Sequence, residues 1–414
     1  MLKAGSLLYA IFVTLIVALL TMSILWGHYY GTIQIQNSIK RTQLENNIHS
    51  AINKALVFPD SLPYNQELVS IPFNDNLPVT LKRTHWGMYD IITGRAAFKK
   101  DSVKQIAFVG QMAFDADSLA LYVSDKGKEV YISGNILIKG RCDVPTGNFK
   151  YAYIGSRKLA NKQIFPSKMN KSKADLPKIN EAQITYNQNL LFTKPESLPK
   201  HIELVDYLEK RDSVVVSFQE PTLVLSTQEA YALRNKTLIG NIIIISTKLI
   251  SIEPSTKLDR VLIYAPEIRV EKNVKGNMQL FASDSILVGE NCLLNFPSCI
   301  SLLSPNVSYL KISKGSKIVG NVIQFQSGTT LSKSLVQIDA DAEVQGFVYS
   351  NGYVQQQGKI AGSLYANQLY LKTNAGYYEN HLVDTEIDFN KLPRAFVSCN
   401  LFNNKKQRVL SWQY

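Results

Sequence analysis

Three carboxylates at alternate positions, Asp339, Asp341 and Glu343 in the run Ile338-Asp339-Ala340-Asp341-Ala342-Glu343, have the types and spacing for general acid and base work. On a strand, successive side chains point to opposite faces, so these three would share one face and could converge on a glycosidic bond. The same row is also what a solvated strand face looks like. Among the four cysteines, Cys142, Cys292, Cys299 and Cys399, one close pair stands out. Cys292 and Cys299 could close a disulfide between neighbouring turns in an oxidising compartment; the alternative is four buried thiols packed as small hydrophobes. The five histidines, His28, His49, His85, His201 and His381, are scattered, with no His-x-His, His-Glu-x-x-His or Cys-x-x-Cys spacing to hold a metal. Nucleophile-elbow, Walker and dinucleotide fingerprints are missing too. The expectation is a protein with no catalytic residues, metal or cofactor. The alternative is a membrane-tethered carbohydrate-active enzyme built on a β-helix.

The elements that must hold these residues are mostly strands. The 414-residue chain is only 19% charged, below the roughly 25% usual for soluble proteins, and it is rich in β-branched and small polar residues. A disordered polymer, a collagen-like chain and a disulfide-stapled miniprotein are excluded. The net charge of +12 suits lipid headgroups, acidic glycans or nucleic acid. Lysines are spread along the chain, with clusters only at Lys168 to Lys178 and at Lys405, Lys406 and Arg408. No RNA-binding motif with interleaved aromatics occurs, so the charge reads first as general solubility, with contact to a membrane or surface glycan second and nucleic acid third.

From Ala4 to Gly27 there is no charge, and Leu7 to Trp26 supplies 20 mostly apolar positions. At a rise of about 1.5 Å per residue, that run spans a hydrocarbon layer roughly 30 Å thick. Trp26, Tyr29 and Tyr30 follow at the level of the headgroups. A buried core helix and a cleaved secretory signal are the rival readings; the run is longer than the about 7 to 15 apolar residues of a signal, and Ser23-Ile24-Leu25 is a poor cleavage site. The flanking cations hardly fix the orientation. The N-terminus is placed in the cytoplasm because the rest of the chain reads as an exported β domain, giving a single-pass protein of the inner (cytoplasmic) membrane with its bulk outside the cytoplasm; the cell surface is the alternative location.

Beyond the span, Ile35, Ile39, Leu44, Ile48, Ile52 and Leu56 recur at helical spacing, so 1–58 reads as a membrane helix continuing into an amphipathic stalk. Residues 59–117 form a linker and small mixed region, with short strands around a Thr93-Gly94 turn. Residues 118–165 carry the first solenoid strands, 166–221 a loop or insertion with a short helix at His201 to Arg211, 222–375 the main solenoid and 376–414 a tail. The main region repeats an aliphatic-x-Gly-x-aliphatic corner at Gly240, Gly320, Gly346 and Gly362, with an earlier copy at Gly134, at unequal intervals. Short strands that bury one face each build a continuous core only by stacking, which favours a parallel β-solenoid. Its inward set would include Val261, Ile263, Ile268 and Val270. A corner glycine serves where φ is positive or two backbones approach closely. An antiparallel sandwich would want more hairpin signals than Asn351-Gly352 alone. The expected fold is thus mainly β, with an N-terminal transmembrane helix and helical stalk followed by a parallel β-solenoid domain.

Two resemblances attach to these segments. The start Lys3-Ala4-Gly5-Ser6-Leu7-Leu8-Tyr9-Ala10 with its apolar helix and stalk resembles PilX-type minor pilins and the K-type minor pseudopilins of type II secretion. That resemblance implies cleavage by a prepilin peptidase after Gly5, with Ser6 as the first mature residue, and assembly with pilus or secretion-system subunits. Most major pilins carry Glu at mature position five, where this chain has Ala10, a departure shared with the minor subclass. The stretches Lys257 to Ala265 and Gln279 to Cys292, with the corners at Gly320 and Gly346, resemble bactofilins and β-solenoid surface proteins of Bacteroidota. This second resemblance implies a structural, polymer-forming β-helix without catalysis. Together they lead to the expectation of a membrane-anchored extracytoplasmic structural or adhesive protein.

Overall fold

The structure, a computed structural model, describes residues 4–70, 77–99, 101–113, 119–154, 159–165, 168–197, 200–328, 333–374, 376–403 and 406–413. Lys3 and Lys405, and the segment bounds at 117, 118, 166 and 375, lie outside them. The chain forms two compact units: residues up to Arg83 with Ile92–Gln105, and Thr84–Ile91 with Ile106–Gln413.

In the first unit a single helix, α1 (Ala4–Val57), runs for 54 residues and stops before Pro59, whose ring disfavours helical geometry at the residue it follows. Its threonines satisfy themselves: the hydroxyls of Thr14, Thr21 and Thr32 donate to the carbonyls of Ile11, Ala18 and His28 at 2.9 Å. Among the described residues, α1 is the one helix long and apolar enough to cross a membrane. Every side chain from Leu7 to Tyr30 is exposed. The stalk stripe divides in two: Ile35 and Ile39 remain 62% and 54% exposed, whereas Leu44, Ile48, Ile52 and Leu56 are buried.

Strands β1 (Glu67–Ser70), β2 (Val79–Trp86), β3 (Tyr89–Phe98) and β4 (Asp101–Met112) form an antiparallel sheet in that order, and β2 alternates buried and half-buried residues as a one-sided strand should. Thr93-Gly94 is not the expected turn. It lies inside β3, because a Cβ at Gly94 would come within 2.4 Å of Ile48 Cγ2; the glycine is a seat for α1. The turn is at Gly87, where φ is +60°.

The second unit is dominated by a parallel β-solenoid of about 12 turns. Its inner wall reads as one ladder: Ile202, Leu225, Ile244, Ile263, Leu280, Ile300, Val322, Val348, Leu364, Leu121, Cys142 and Met169 are register partners in succession. Val261, Ile263, Ile268 and Val270 point into this core, as alternation requires. The ladder does not follow the chain. Leaving β4, the chain enters the stack near one end, with β5 (Leu119–Val123) and β6 (Val130–Lys139), winds outward to Met169–Lys171 at that end, then crosses to the opposite end at His201. From there it winds back until Lys359–Thr373 and His381–Asp388 dock on β5 and β6, closing a seam. Val397–Ser398 and Gln407–Gln413 then pair with β4, from which the excursion began.

The region expected as a loop or insertion, 166–221, is more ordered than that. It contains α2 (Glu181–Phe192), capped by Asn180, whose side chain accepts from the Gln183 amide at 3.4 Å. The stretch from His201 likewise begins as a strand, His201–Glu203, before α3 (Leu204–Glu209). Helix α2 packs on the outside of the strands Lys257–Val270, Lys275–Val288 and Leu293–Ser304. This explains why runs such as Ile242 to Ile245 are apolar on both faces: outward residues including Ile245, Leu262, Tyr264 and Phe281 are buried in a second apolar layer. The β2–β3 tip is held there by buried amides. Gln279 accepts from the Met88 amide at 2.8 Å and donates to the Trp86 carbonyl at 3.1 Å. Gln183 and Asn187 of α2 donate to the Gly87 carbonyl at 2.6 and 2.9 Å.

Candidate functional site

The processing residues expected from the sequence, Gly5 and Ser6, sit with Ala10 in the first turns of α1, all exposed. Nothing lies within 4 Å of the place a Cβ would occupy at Gly5.

The corner glycines form a stacked device. A Cβ would fall 1.8 Å from the Ser298 carbonyl oxygen at Gly320, 1.8 Å from that of Gly320 at Gly346, and 1.9 Å from that of Gly346 at Gly362. Each turn therefore rests its backbone on the turn before, and only hydrogen fits between them. Gly240 is seated in the same way on Val216, at 2.0 Å. Gly134 is a different device: with φ at +72° it turns the chain at the seam, where Asp384 Oδ1 accepts from the Asn135 amide at 2.9 Å.

The carboxylate row does not share a strand face. The strand Leu335–Ile338 ends before it and Glu343 opens the next, so Asp339 and Asp341 occupy a tight turn in which Asp341 has φ of +62°. Alternation holds only within a strand, and the turn scatters the three side chains. Two are taken by lysines: Asp339 meets Lys311 at 3.3 Å and Glu343 meets Lys317 at 2.9 Å. Among the described residues no group of three or more His, Cys, Asp or Glu is placed to hold a metal ion.

All four cysteines are free and buried. Cys292 and Cys299 do not pair, which corrects the expectation, because they belong to different apolar layers: Cys292 lines the solenoid interior and Cys299 the covered outer layer. Cys292 Sγ lies 3.0 Å from the Glu271 carbonyl, while Cys299 Sγ lies 3.4 Å from Ser301 Oγ and hydrogen-bonds with Cys399. Burial raises the Cys399 thiol well above its usual range, with Cys299 adding to it; burial and the Asp143 charge push Cys142 up to about 12.

A cleft of about 450 Å³ opens between the crossing segment and the solenoid wall. One side carries Asp175, Lys178 and Glu181, with Thr185 and Gln188 from α2. The floor is Phe325, Tyr349, Asn351 and Asn367, from three successive turns. Asn351 is locked in place: its side chain both accepts from and donates to the Gln326 backbone at 2.9 Å. Tyr349 and Asn367 are 4% and 8% exposed, yet among the described residues neither the Tyr349 hydroxyl nor the Asn367 amide has a hydrogen-bond partner. Burial holds the Tyr349 phenol well above its usual range. Sequence reading missed this cleft, since one wall was taken for loop and Asn351-Gly352 for a hairpin signal. In the structure Gly352 lies inside a parallel strand, with its amide on Gln324 Oε1 at 3.0 Å.

No protein-family model matches the chain, and no curated protein matches it. Among solved structures, the competence-associated pilin ComZ from Thermus thermophilus is similar at 10% identity, over 85% of this chain and 86% of that one, with a TM-score of 0.22.

Proposed function

We propose that this chain is a membrane-anchored, extracytoplasmic structural or adhesive protein, a minor pilin-like subunit that enters a filament or secretion apparatus through α1 and presents the solenoid as its working surface. The observation that carries this reading is the divided helix: α1 buries its last turns, from Leu44, but leaves everything from Leu7 to Tyr30 exposed. An apolar surface of that length needs lipid or the helices of neighbouring subunits around it. Before assembly the partner is the bilayer of the cytoplasmic membrane, crossed once. After assembly it is a bundle of like helices. The Glu343 and Asp339 ion pairs favour a structural over a catalytic role for the acidic row.

The test is the mass and N-terminal sequence of the protein recovered from native membranes, with and without the host's prepilin peptidase. A mature start at Ser6 that depends on the peptidase supports a pilin-like subunit. An uncut chain leaves a plain signal anchor and removes the filament role. Cleavage near residue 27 overturns membrane anchoring altogether.

A further inference from the structure

We infer that the cleft beneath α2 is a binding site for an uncharged saccharide. The argument starts from its two unpartnered polar groups. The Tyr349 hydroxyl and the Asn367 amide open on the cleft, where a ligand would exchange water for its own donors and acceptors. Tyr349 and Asn367 are each more than nine-tenths buried and line one cleft, so a single ligand rich in closely spaced donors and acceptors would satisfy both.

Charge narrows the class. Asp175 is paired with Lys126 at 3.4 Å and Glu181 stands against Lys178, so the rim is close to neutral and offers no cluster of cations for a phosphate, nucleotide or carboxylate ligand. Shape narrows it further. The cleft volume lies within the about 300–1,000 Å³ of small-molecule sites, and the half-buried ring of Phe325 offers an apolar surface against which the C–H face of a pyranose can lie. A purely apolar ligand would leave the Asn367 amide unpaired. Vicinal hydroxyls on one face and C–H groups on the other are what this lining complements. The rigid wall supports this: Asn351 is pre-set by its two bonds to Gln326, so binding orders little. The site stands whether or not α1 assembles into a filament.

The test uses the full chain in a detergent without a sugar headgroup. Glucose, galactose, N-acetylglucosamine and their β-linked disaccharides serve as probes in saturation-transfer NMR and calorimetry, with inorganic phosphate and ADP as competitors. At least one saccharide is expected to bind with Kd between about 10 μM and 1 mM, and both Asn367→Leu and Tyr349→Phe to weaken it about tenfold or more. Neither variant should lower the thermal midpoint, because neither removes a bond within the protein; this separates a ligand role from a structural one. Failure of every saccharide to bind, binding indifferent to both substitutions, or displacement of the sugar by phosphate or ADP would each overturn the assignment.

Discussion

An ordinary step of the solenoid and its seam use the same chemistry on different chain distances. Between the strands Lys257–Val270 and Lys275–Val288, Ile263 lies over Leu280 across a connection of a few residues. At the seam, Leu364 lies over Leu121, and Tyr365 over Tyr122, in the same parallel register, but the partners come from opposite ends of the excursion. Stacking is therefore indifferent to chain order: the core sees only which side chain sits above which. What differs is entropy. In an unstructured chain, closing the seam costs about 2 kcal/mol more than closing one turn. A solenoid built only from neighbouring turns folds through local contacts, whereas this one must also make a long-range closure, expected late in folding.

The largest way to test this comparison is at the corners. Gly346→Val or Gly362→Val would drive a side chain into the carbonyl of the turn below and should cost about 4 kcal/mol or more, read by urea denaturation. Gly134→Ala at the seam should cost less, about 1–2 kcal/mol, from the strain of a side chain at φ +72° and displacement of the Asp384 carboxylate from the Asn135 amide. Next come the ladder residues. Leu364→Ala and Leu280→Ala should each lose about 2–5 kcal/mol, but only the seam variant should let β5 and β6 exchange amide hydrogens ahead of the rest. Equal exchange in both variants would erase the distinction between seam and step.

Alkaline pH probes the seam with a smaller effect. Cys142 follows Leu121 on the ladder and Tyr365 sits opposite Tyr122; burial holds both neutral in the folded chain up to about 12. Unfolded, the thiol and phenol ionise nearer about 9 and 10, so the unfolded state binds fewer protons and stability falls as pH rises through this window. The Cys142 share is at most about 1.4 kcal/mol per pH unit, and Cys142→Ala should flatten the slope in denaturation series from pH 8 to 11. Smallest of all is Glu343→Gln, which removes a half-exposed pair with Lys317 and should change stability by no more than about 1 kcal/mol.

The parts legible in the sequence were those written in local pattern. Alternation at Val261 and Ile263 marked the inner wall, and glycines such as Gly346 marked the corners, because each needs only its near neighbours to be read. Helix α2 was not legible, since the residues that anchor it, Gln183 and Asn187, are buried amides that look like surface residues until the β2–β3 tip is placed beside them. The cleft failed for the same reason: Tyr349 and Asn367 sit on different turns, and their shared cavity exists only once α2 lies across them. The seam leaves no mark at all, because β5 and Lys359–Thr373 carry the same pattern as any other pair of strands.

The rung Met112–Val397 carries a consequence for how such a protein could arise. The whole run 113–396 leaves and returns at two residues that are paired in one antiparallel sheet. Along the chain the solenoid enters and leaves at one place in that sheet, while its side chains also hold the β2–β3 tip. Its insertion interrupts no strand of the sheet, although Trp86, Met88 and Tyr89 depend on it for their burial. Turns could be gained or lost at the Ile202 or Met169 ends of the stack while the rung Met112–Val397 stays where it is, so the length of the stack can evolve without touching its closure.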